Sequence, residues 1–241
     1  MRLRPALDLL AQVGDLPQGD IVDLCCGDGA VGPALGARFS GRAVVGLDAS
    51  PAMLDKARGT GVYQRLILAD LRDWDPETRP ALIFSNAALH WLPDHATLLP
   101  RLAAMLAPGG VLAVQMPRQW GAPSHRFLRD IAASLFSDRF DVSTPAPVSG
   151  AVHYWEMLAP LGRVAAWETE YVQRLDARAA GHPVRGFTEP TAMRPFLEKL
   201  DAAEAAAFVA AYDAALAAAY PLLPDGAALM PFRRVFFTLQ V

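Results

Sequence analysis

An apolar run that ends in a carboxylate and then breaks into glycines leaves a chain few ways to fold. Residues 21–29 read Ile-Val-Asp-Leu-Cys-Cys-Gly-Asp-Gly, Gly32 follows, and a second run, Val44-Val-Gly-Leu-Asp48, ends in another carboxylate. Glycines at 27 and 29 permit a tight turn and let backbone pass close to a ligand, because no Cβ stands in the way. The helix that follows points its unsatisfied amides at whatever occupies the turn. Asp48, some twenty residues on, is placed to accept the hydroxyls of a ribose. The pattern predicts a nucleoside-binding turn at the carboxyl edge of a parallel sheet. The spacing Gly27-x-Gly29-x-x-Gly32 also matches the dinucleotide fingerprint, and glycine turns occur in many strand-to-helix crossovers, so this stretch alone does not choose a ligand.

Composition narrows the class. The 241 residues are 53% hydrophobic and 20% charged, which suits one large α/β domain or a domain with an elaboration. A net charge of -3 without any basic block argues against a general nucleic-acid binder. No apolar run approaches the roughly eighteen residues that span a bilayer. The start, Met1-Arg-Leu-Arg-Pro-Ala-Leu-Asp-Leu-Leu10, reads as an amphipathic helix without a secretory cleavage site. Cys25 and Cys26 are adjacent, which rules out a long-range disulfide. These features predict a cytoplasmic monomer or homodimer with neither nucleic acid nor membrane as partner, and no metal.

Along the first half, short apolar runs at 20–24, 43–47, 66–69, 82–85 and 111–115 alternate with helical patterns, the signature of a doubly wound parallel sheet. Helices are expected at 51–58, where Ser50-Pro51 pairs a cap with proline at the first helical position, and at 94–106, stopping before Pro108-Gly109-Gly110. After Gln115 the pattern changes. Residues 123–136 and 152–158 read as helices, 163–175 alternates as a long strand, and 231–241 is its expected antiparallel partner. In the helical segment between these two strands, Phe208, Tyr212, Leu216 and Tyr220 recur every four residues, a stripe read as core packing. The chain is expected to be a single domain, 1–241, with a cofactor half at 1–117. The substrate side, 118–241, then carries a helical lid at about 176–230.

Five parallel strands closed by an antiparallel pair differ from dinucleotide dehydrogenases, whose sheets are usually parallel throughout. Three further stretches agree. Leu68-Ala-Asp70-Leu71 ends the third strand in a carboxylate placed for an adenine amino group, with Leu71 beside the ring. Pro108-Gly-Gly-Val-Leu-Ala-Val opens the fifth strand. Phe84-Ser-Asn86-Ala87 ends the fourth, where a reacting group belongs.

Taken together, the chain resembles the class I S-adenosylmethionine-dependent methyltransferases, and within them the trans-aconitate 2-methyltransferases. The resemblance covers nearly the whole chain. It is carried by GLDASPAMLDKAR, LADLRDW, IFSNAALHWLPDH, LAPGGVLAVQMP and MRPFL, with counterparts to Tyr154-Trp155-Glu156, Trp167 and Pro231-Phe232-Arg233. It implies a Rossmann-like seven-stranded fold and S-adenosylmethionine held by Asp23, Cys25, Gly27, Gly29, Asp48, Ala49, Met53, Asp70, Leu71, Asn86 and Ala87. The implied reaction is O-methylation of a carboxylate on a small polycarboxylic acid. An ionised carboxylate needs no general base; it needs orientation, for which arginine's bidentate fork is suited. The orienting candidates are Arg194, His90, Trp91, Arg118, His125 and Arg233, with Arg126 and Arg129 nearby.

Three departures from the family pattern stand out. Cys25 replaces the first motif glycine, Ala192-Met-Arg-Pro replaces the usual Gly-Leu-Arg-Pro, and the family's aromatic-rich N-terminal arm precedes the point where this sequence begins. His90 also stands where the family usually has glutamine. The alternatives are methylation of a malonyl group on a carrier protein, or a non-catalytic cofactor-binding protein of the same fold.

Overall fold

A computed structural model describes residues 3–141 and 145–241 of the chain, so Met1 and Arg2 of the expected first helix lie outside the described residues. The glycine-broken apolar runs form parallel strands β1 (Ile21–Leu24), β2 (Val44–Asp48), β3 (Arg65–Leu68), β4 (Leu82–Asn86) and β5 (Val111–Pro117). Runs such as Ile-Val-Asp-Leu and Leu-Ile-Phe-Ser are buried on both faces, as parallel strands covered by helices must be. Two long strands follow, β6 (Arg163–Leu175) and β7 (Ala228–Gln240). The seven-stranded sheet has the order β3-β2-β1-β4-β5-β7-β6. β7 lies antiparallel to β5, pairing Val111 with Gln240 and Pro117 with Arg234. On the outer edge, Arg163 Nη2 donates to Gln240 Oε1 at 2.6 Å and Trp167 stacks on Phe236. Numbers that rise along β6 therefore meet numbers that fall along β7. The observed strands begin and end within three residues of the expected ones, and the fold is the expected Rossmann-like methyltransferase sheet.

Helices α1 (Arg4–Leu10), α2 (Gly32–Arg38), α3 (Pro51–Arg58) and α4 (His95–Ala104) accompany the parallel strands. Ser50 Oγ accepts from the Met53 amide and Asp94 Oδ1 from the Thr97 amide, so each capping side chain marks where its helix begins. Beyond β5 come α5 (Pro123–Leu135), α6 (Ala151–Leu158), α7 (Pro183–Thr188), α8 (Arg194–Leu197) and α9 (Ala202–Ala219).

The chain divides into two compact units. Unit 1 comprises Met1–Pro117, Pro147–Thr169 and Arg234–Val241, and unit 2 comprises Arg118–Ala146 and Glu170–Arg233. The first boundary lies where the sequence places the end of the cofactor half. Residues 147–169 and 234–241 nevertheless return to unit 1, because half of β7 hydrogen-bonds to β5. In unit 1 the core gathers Leu24, Leu47, Ile83, Leu102, Val114 and Phe237 around Tyr154, whose hydroxyl meets His95 Nδ1 at 2.7 Å. In unit 2, Leu128, Met193 and Met230 pack with Phe208, Tyr212 and Leu216, which confirms the core reading of that stripe. Fully burying one such side chain contributes roughly 1.5–3 kcal/mol.

One expectation needs correction. By length and composition alone, α9 is long and apolar enough to cross a membrane. Alanine supplies that hydropathy without bulk. The helix opens with a capping box between Asp201 and Glu204, Glu204 pairs with Arg139 at 2.5 Å, and Asp213 pairs with Arg185 at 2.9 Å. Its large side chains are spent on the core of unit 2.

Candidate active site

β1 has β2 on one side and β4 on the other, so the strand order reverses direction there. Ligands of open α/β sheets bind outside the carboxyl ends of the strands at such a point. The glycine turn leaves β1 at that place. Cys25, Gly27 and Gly29 all take positive φ, of 57°, 58° and 80°. Cys25 thus adopts the left-handed conformation, at a cost of about 1–2 kcal/mol. Burial, with the Asp48, Asp23 and Asp70 carboxylates, pushes its thiol up to about 12, so it stays protonated and unreactive at neutral pH.

Gly27 and Asp48 form the open part of the turn. A Cβ built on Gly27 would meet nothing within 4 Å. Asp48 Oδ2 accepts the Gly27 amide and Oδ1 the Ser50 amide, both at 2.9 Å. Each oxygen keeps a further lone pair, and the half-buried carboxylate is held rigidly by backbone. Ala49 and Met53, on the α3 side, are exposed.

Gly29 and Gly32 also make room within the fold itself. A Cβ on Gly29 would lie 2.9 Å from Ala57 Cα and 3.0 Å from the Tyr63 ring, and one on Gly32 would lie 2.7 Å from Tyr63. Their missing side chains admit α3 and Tyr63. Tyr63 Oη donates to Asp23 Oδ2 at 2.6 Å. Asp23 is fully buried, and loss of hydration raises its carboxyl to about 6 despite that hydrogen bond, with Asp48 adding to the rise. It serves the scaffold of the turn. Sequence reasoning missed Tyr63; small residues at 29, 32 and 46 were the available sign that a large ring fills one space.

After β3, Asp70 grips its neighbour. Arg72 donates Nε and Nη2 to the carboxylate at 2.6–3.1 Å, and its amide donates at 2.9 Å. These bonds hold the Asp70 carboxyl down to about 2. Leu71 is buried in the core of unit 1, where the chain turns after β3 ends at Leu68. Leu68 is the exposed apolar side chain at that edge.

At the end of β4 the chain leaves through Ala87, at φ 55°, whose amide donates to Gln115 O. A single 3-10 turn, Leu89–Trp91, follows. Asn86 Oδ1 and His90 Nδ1 are buried without a hydrogen-bond partner among the described residues, as is Gln115 Nε2 on β5. Burial foremost, then the charges of Arg234 and His95, holds His90 down to about 4, so it is neutral at pH 7. Trp91, one of the orienting candidates, lies on this turn. It is 75% exposed, because the short turn projects it away from the sheet.

The remaining candidates lie in unit 2 or at its ends. Arg118 donates its amide to Arg233 O, and Arg233 reaches Glu170 at 3.5 Å. His125 Nδ1 meets Ser124 Oγ at 3.0 Å, and burial holds this imidazole down to about 4. Arg129 stacks 3.7 Å over Trp120 and donates to the His125 and Trp120 carbonyls. Arg126 lies 3.5 Å from Asp130. Arg194, at the start of α8, is exposed and pairs with Glu198 at 2.7 Å.

Comparison with known proteins sets this geometry in context. A methyltransferase domain family matches residues 21–110. A trans-aconitate 2-methyltransferase of Methylobacterium radiotolerans is 43% identical over 98% of this chain and 92% of its own length. Its counterpart in Azoarcus is 44% identical over the same shares, and that of Escherichia coli 36% identical over 99% and 93%. Among solved structures, YcgJ from Bacillus subtilis superposes with a TM-score of 0.61 at 12% identity, covering 100% of this chain and 98% of its own. Phosphoethanolamine N-methyltransferase 2 of Haemonchus contortus, solved with S-adenosyl-L-methionine, gives 0.52 at 16% identity over 97% and 51%. These two likenesses concern the fold alone.

Proposed function

The chain belongs to the S-adenosylmethionine-dependent methyltransferases, in the family of the trans-aconitate 2-methyltransferases, and we propose that it methylates a carboxylate of a small polycarboxylic acid such as trans-aconitate. The observation that carries this reading is the reach of the similarity. It runs through unit 2 as well as the glycine turn, whereas a likeness of cofactor half alone would end near residue 117.

The residues of the turn fit the cofactor. The space left by Gly27, the free lone pairs of Asp48 and the unpartnered Asn86 Oδ1 are what a bound nucleoside and its methionine tail would fill. Bound there, S-adenosylmethionine supplies a methyl group that passes to a carboxylate oxygen while the carbon–sulfur bond breaks, leaving a neutral thioether and releasing no proton. Asp48 would accept the ribose hydroxyls, braced by the Gly27 and Ser50 amides. Asp70 would accept the adenine amine with the lone pair that Arg72 leaves. Met53 and Ala49 would border the adenosine, and Cys25 and Ala87 would lend their backbone.

The acceptor is already ionised at neutral pH, so no side chain need remove a proton. The work left to the protein is alignment and exclusion of water. We assign Arg194 the foremost part in orienting the acceptor's carboxylates, with Arg118, His125 and Arg233 behind it. Binding energy from carboxylates that do not react can then be used to align the one that does.

A methyl-ester assay over a panel of acceptors tests the reading. Turnover of trans-aconitate or related tricarboxylates is the expected result. Turnover only of a malonyl group on a carrier protein, or of nothing in the panel, would overturn it.

A further inference from the structure

Asn86 Oδ1, His90 Nδ1 and Gln115 Nε2 in unit 1 are buried side-chain atoms with no hydrogen-bond partner among the described residues. They converge. Asn86 and Gln115 are register partners across β4 and β5, and Pro117 pairs with Arg234 across β5 and β7. Paired residues share a face and alternate residues return to it, so Asn86, Gln115 and Arg234 project from one side of the sheet at its carboxyl edge. Arg234 Nη1 confirms this by donating to Gln115 Oε1 at 2.7 Å. That bond fixes the orientation of the amide and leaves Nε2 facing away from it. Gln115 is completely buried. A buried polar atom without a partner is destabilising, and such atoms persist where something else completes them.

We propose that Gln115 and Arg234, with His90 beside them, form a recess that receives a carboxylate of the methyl acceptor; this rests on the reading of the protein as a carboxylate methyltransferase. The donor set selects the ligand. Arg234 carries the charge, Gln115 Nε2 is a donor already aimed, and His90 Nδ1 completes a third contact in the tautomer that protonates it. His90 stays uncharged at neutral pH because burial and the Arg234 charge oppose its protonation, so it enters the recess as a neutral hydrogen-bonding group. Asn86 Oδ1 is an acceptor and takes no part in holding an anion; it is left for a donor or a polarised methyl group. Arg234 is thus a substrate-binding residue distinct from the neighbouring Arg233, which points to the opposite face and pairs with Glu170.

The test uses the whole protein saturated with S-adenosylhomocysteine. Trans-aconitate, tricarballylate and the trimethyl ester of trans-aconitate are added in turn while the His90 ring resonances are followed by NMR. The free acids should shift them and raise the His90 pKa, and the ester should not. In turnover assays Arg234→Lys should raise KM for trans-aconitate about tenfold, through loss of the planar fork. Gln115→Glu, which neutralises Arg234, should abolish turnover. Both variants should bind S-adenosylmethionine within twofold of wild type. His90 resonances indifferent to every free acid would overturn the recess, as would wild-type KM in both variants. Should a variant fail to fold, the wild-type titration still decides. Should the wild type fail to methylate trans-aconitate while its His90 still responds to a carboxylate, the assigned substrate falls and the recess stands.

Discussion

Tyr63 Oη donates a 2.6 Å hydrogen bond to Asp23 Oδ2 across forty residues of sequence, and the same ring lies where side chains on Gly29, Gly32 and Gly46 would be. The glycine motif therefore has two kinds of member. Gly27 opens toward solvent beside Asp48, and the others admit a tyrosine that props the turn from behind.

Alanine substitution should separate them. Gly29→Ala brings a Cβ against Ala57 and Tyr63, in a left-handed conformation, and should destabilise the fold by roughly 2–4 kcal/mol. Gly27→Ala meets open space and should cost only about 1 kcal/mol of stability while weakening S-adenosylmethionine binding tenfold or more, to about 1.4 kcal/mol. Urea denaturation reads the first effect and calorimetry the second. Unchanged cofactor affinity in Gly27→Ala would show that the open space is not the binding site.

Asp23 should make stability depend on pH in an unusual direction. Its carboxyl holds a proton to about pH 6 in the folded chain, against the ordinary value of 3.8. Between these values the folded state binds more protons than the unfolded one, so this group's contribution falls as pH rises from about 4 to 6 and is level above. The difference amounts to about 3 kcal/mol. Asp23→Asn keeps an acceptor for Tyr63 and should remove that dependence. Denaturation midpoints of both proteins at pH 5 and pH 8 check this: a wild-type-minus-variant difference that is the same at both values contradicts it.

Asp48→Ala should weaken cofactor binding by about 2–4 kcal/mol, roughly thirty- to thousandfold, through loss of charge-assisted bonds to the ribose. Calorimetry with S-adenosylmethionine measures it directly. Because Asp48 also receives the Gly27 and Ser50 amides, Asp48→Asn is the informative companion: it keeps an acceptor and should lose less. Wild-type affinity in Asp48→Ala would remove this carboxylate from the site.

Arg194 is exposed and, among the described residues, pairs with Glu198 one helical turn away, so replacing it should not disturb folding. Arg194→Lys keeps the charge and loses the bidentate fork. KM for trans-aconitate should rise several-fold while cofactor affinity stays within twofold. A parallel loss of cofactor affinity, or no change in either, would take Arg194 out of substrate recognition.

The fold was largely legible before any coordinates. The strands declared themselves as apolar runs cut by glycine, proline and carboxylate, and Ser50-Pro51 and Asp94 announced their helices, because such signals act within a few residues. The carboxylates ending β1, β2 and β3 were legible for the same reason. Their partners within the fold were not: Asp23 faces Tyr63, and Asp70 faces Arg72. The face that Arg233 and Arg234 each take was not legible either, since one residue along a strand reverses the face. The run Val235-Phe-Phe-Thr-Leu239 is buried on nearly every residue and offered no alternation from which to read it.

Residue order by itself determined that this chain builds a doubly wound sheet with a glycine turn at its carboxyl edge, since hydrophobic period and turn chemistry are local properties of the backbone. Only the tertiary structure decided which glycine faces open space, which carboxylate is buried against a tyrosine and which of two adjacent arginines joins Gln115. Each of those outcomes depends on strand register and on the volume of a partner distant in sequence, and neither is encoded in the neighbouring residues.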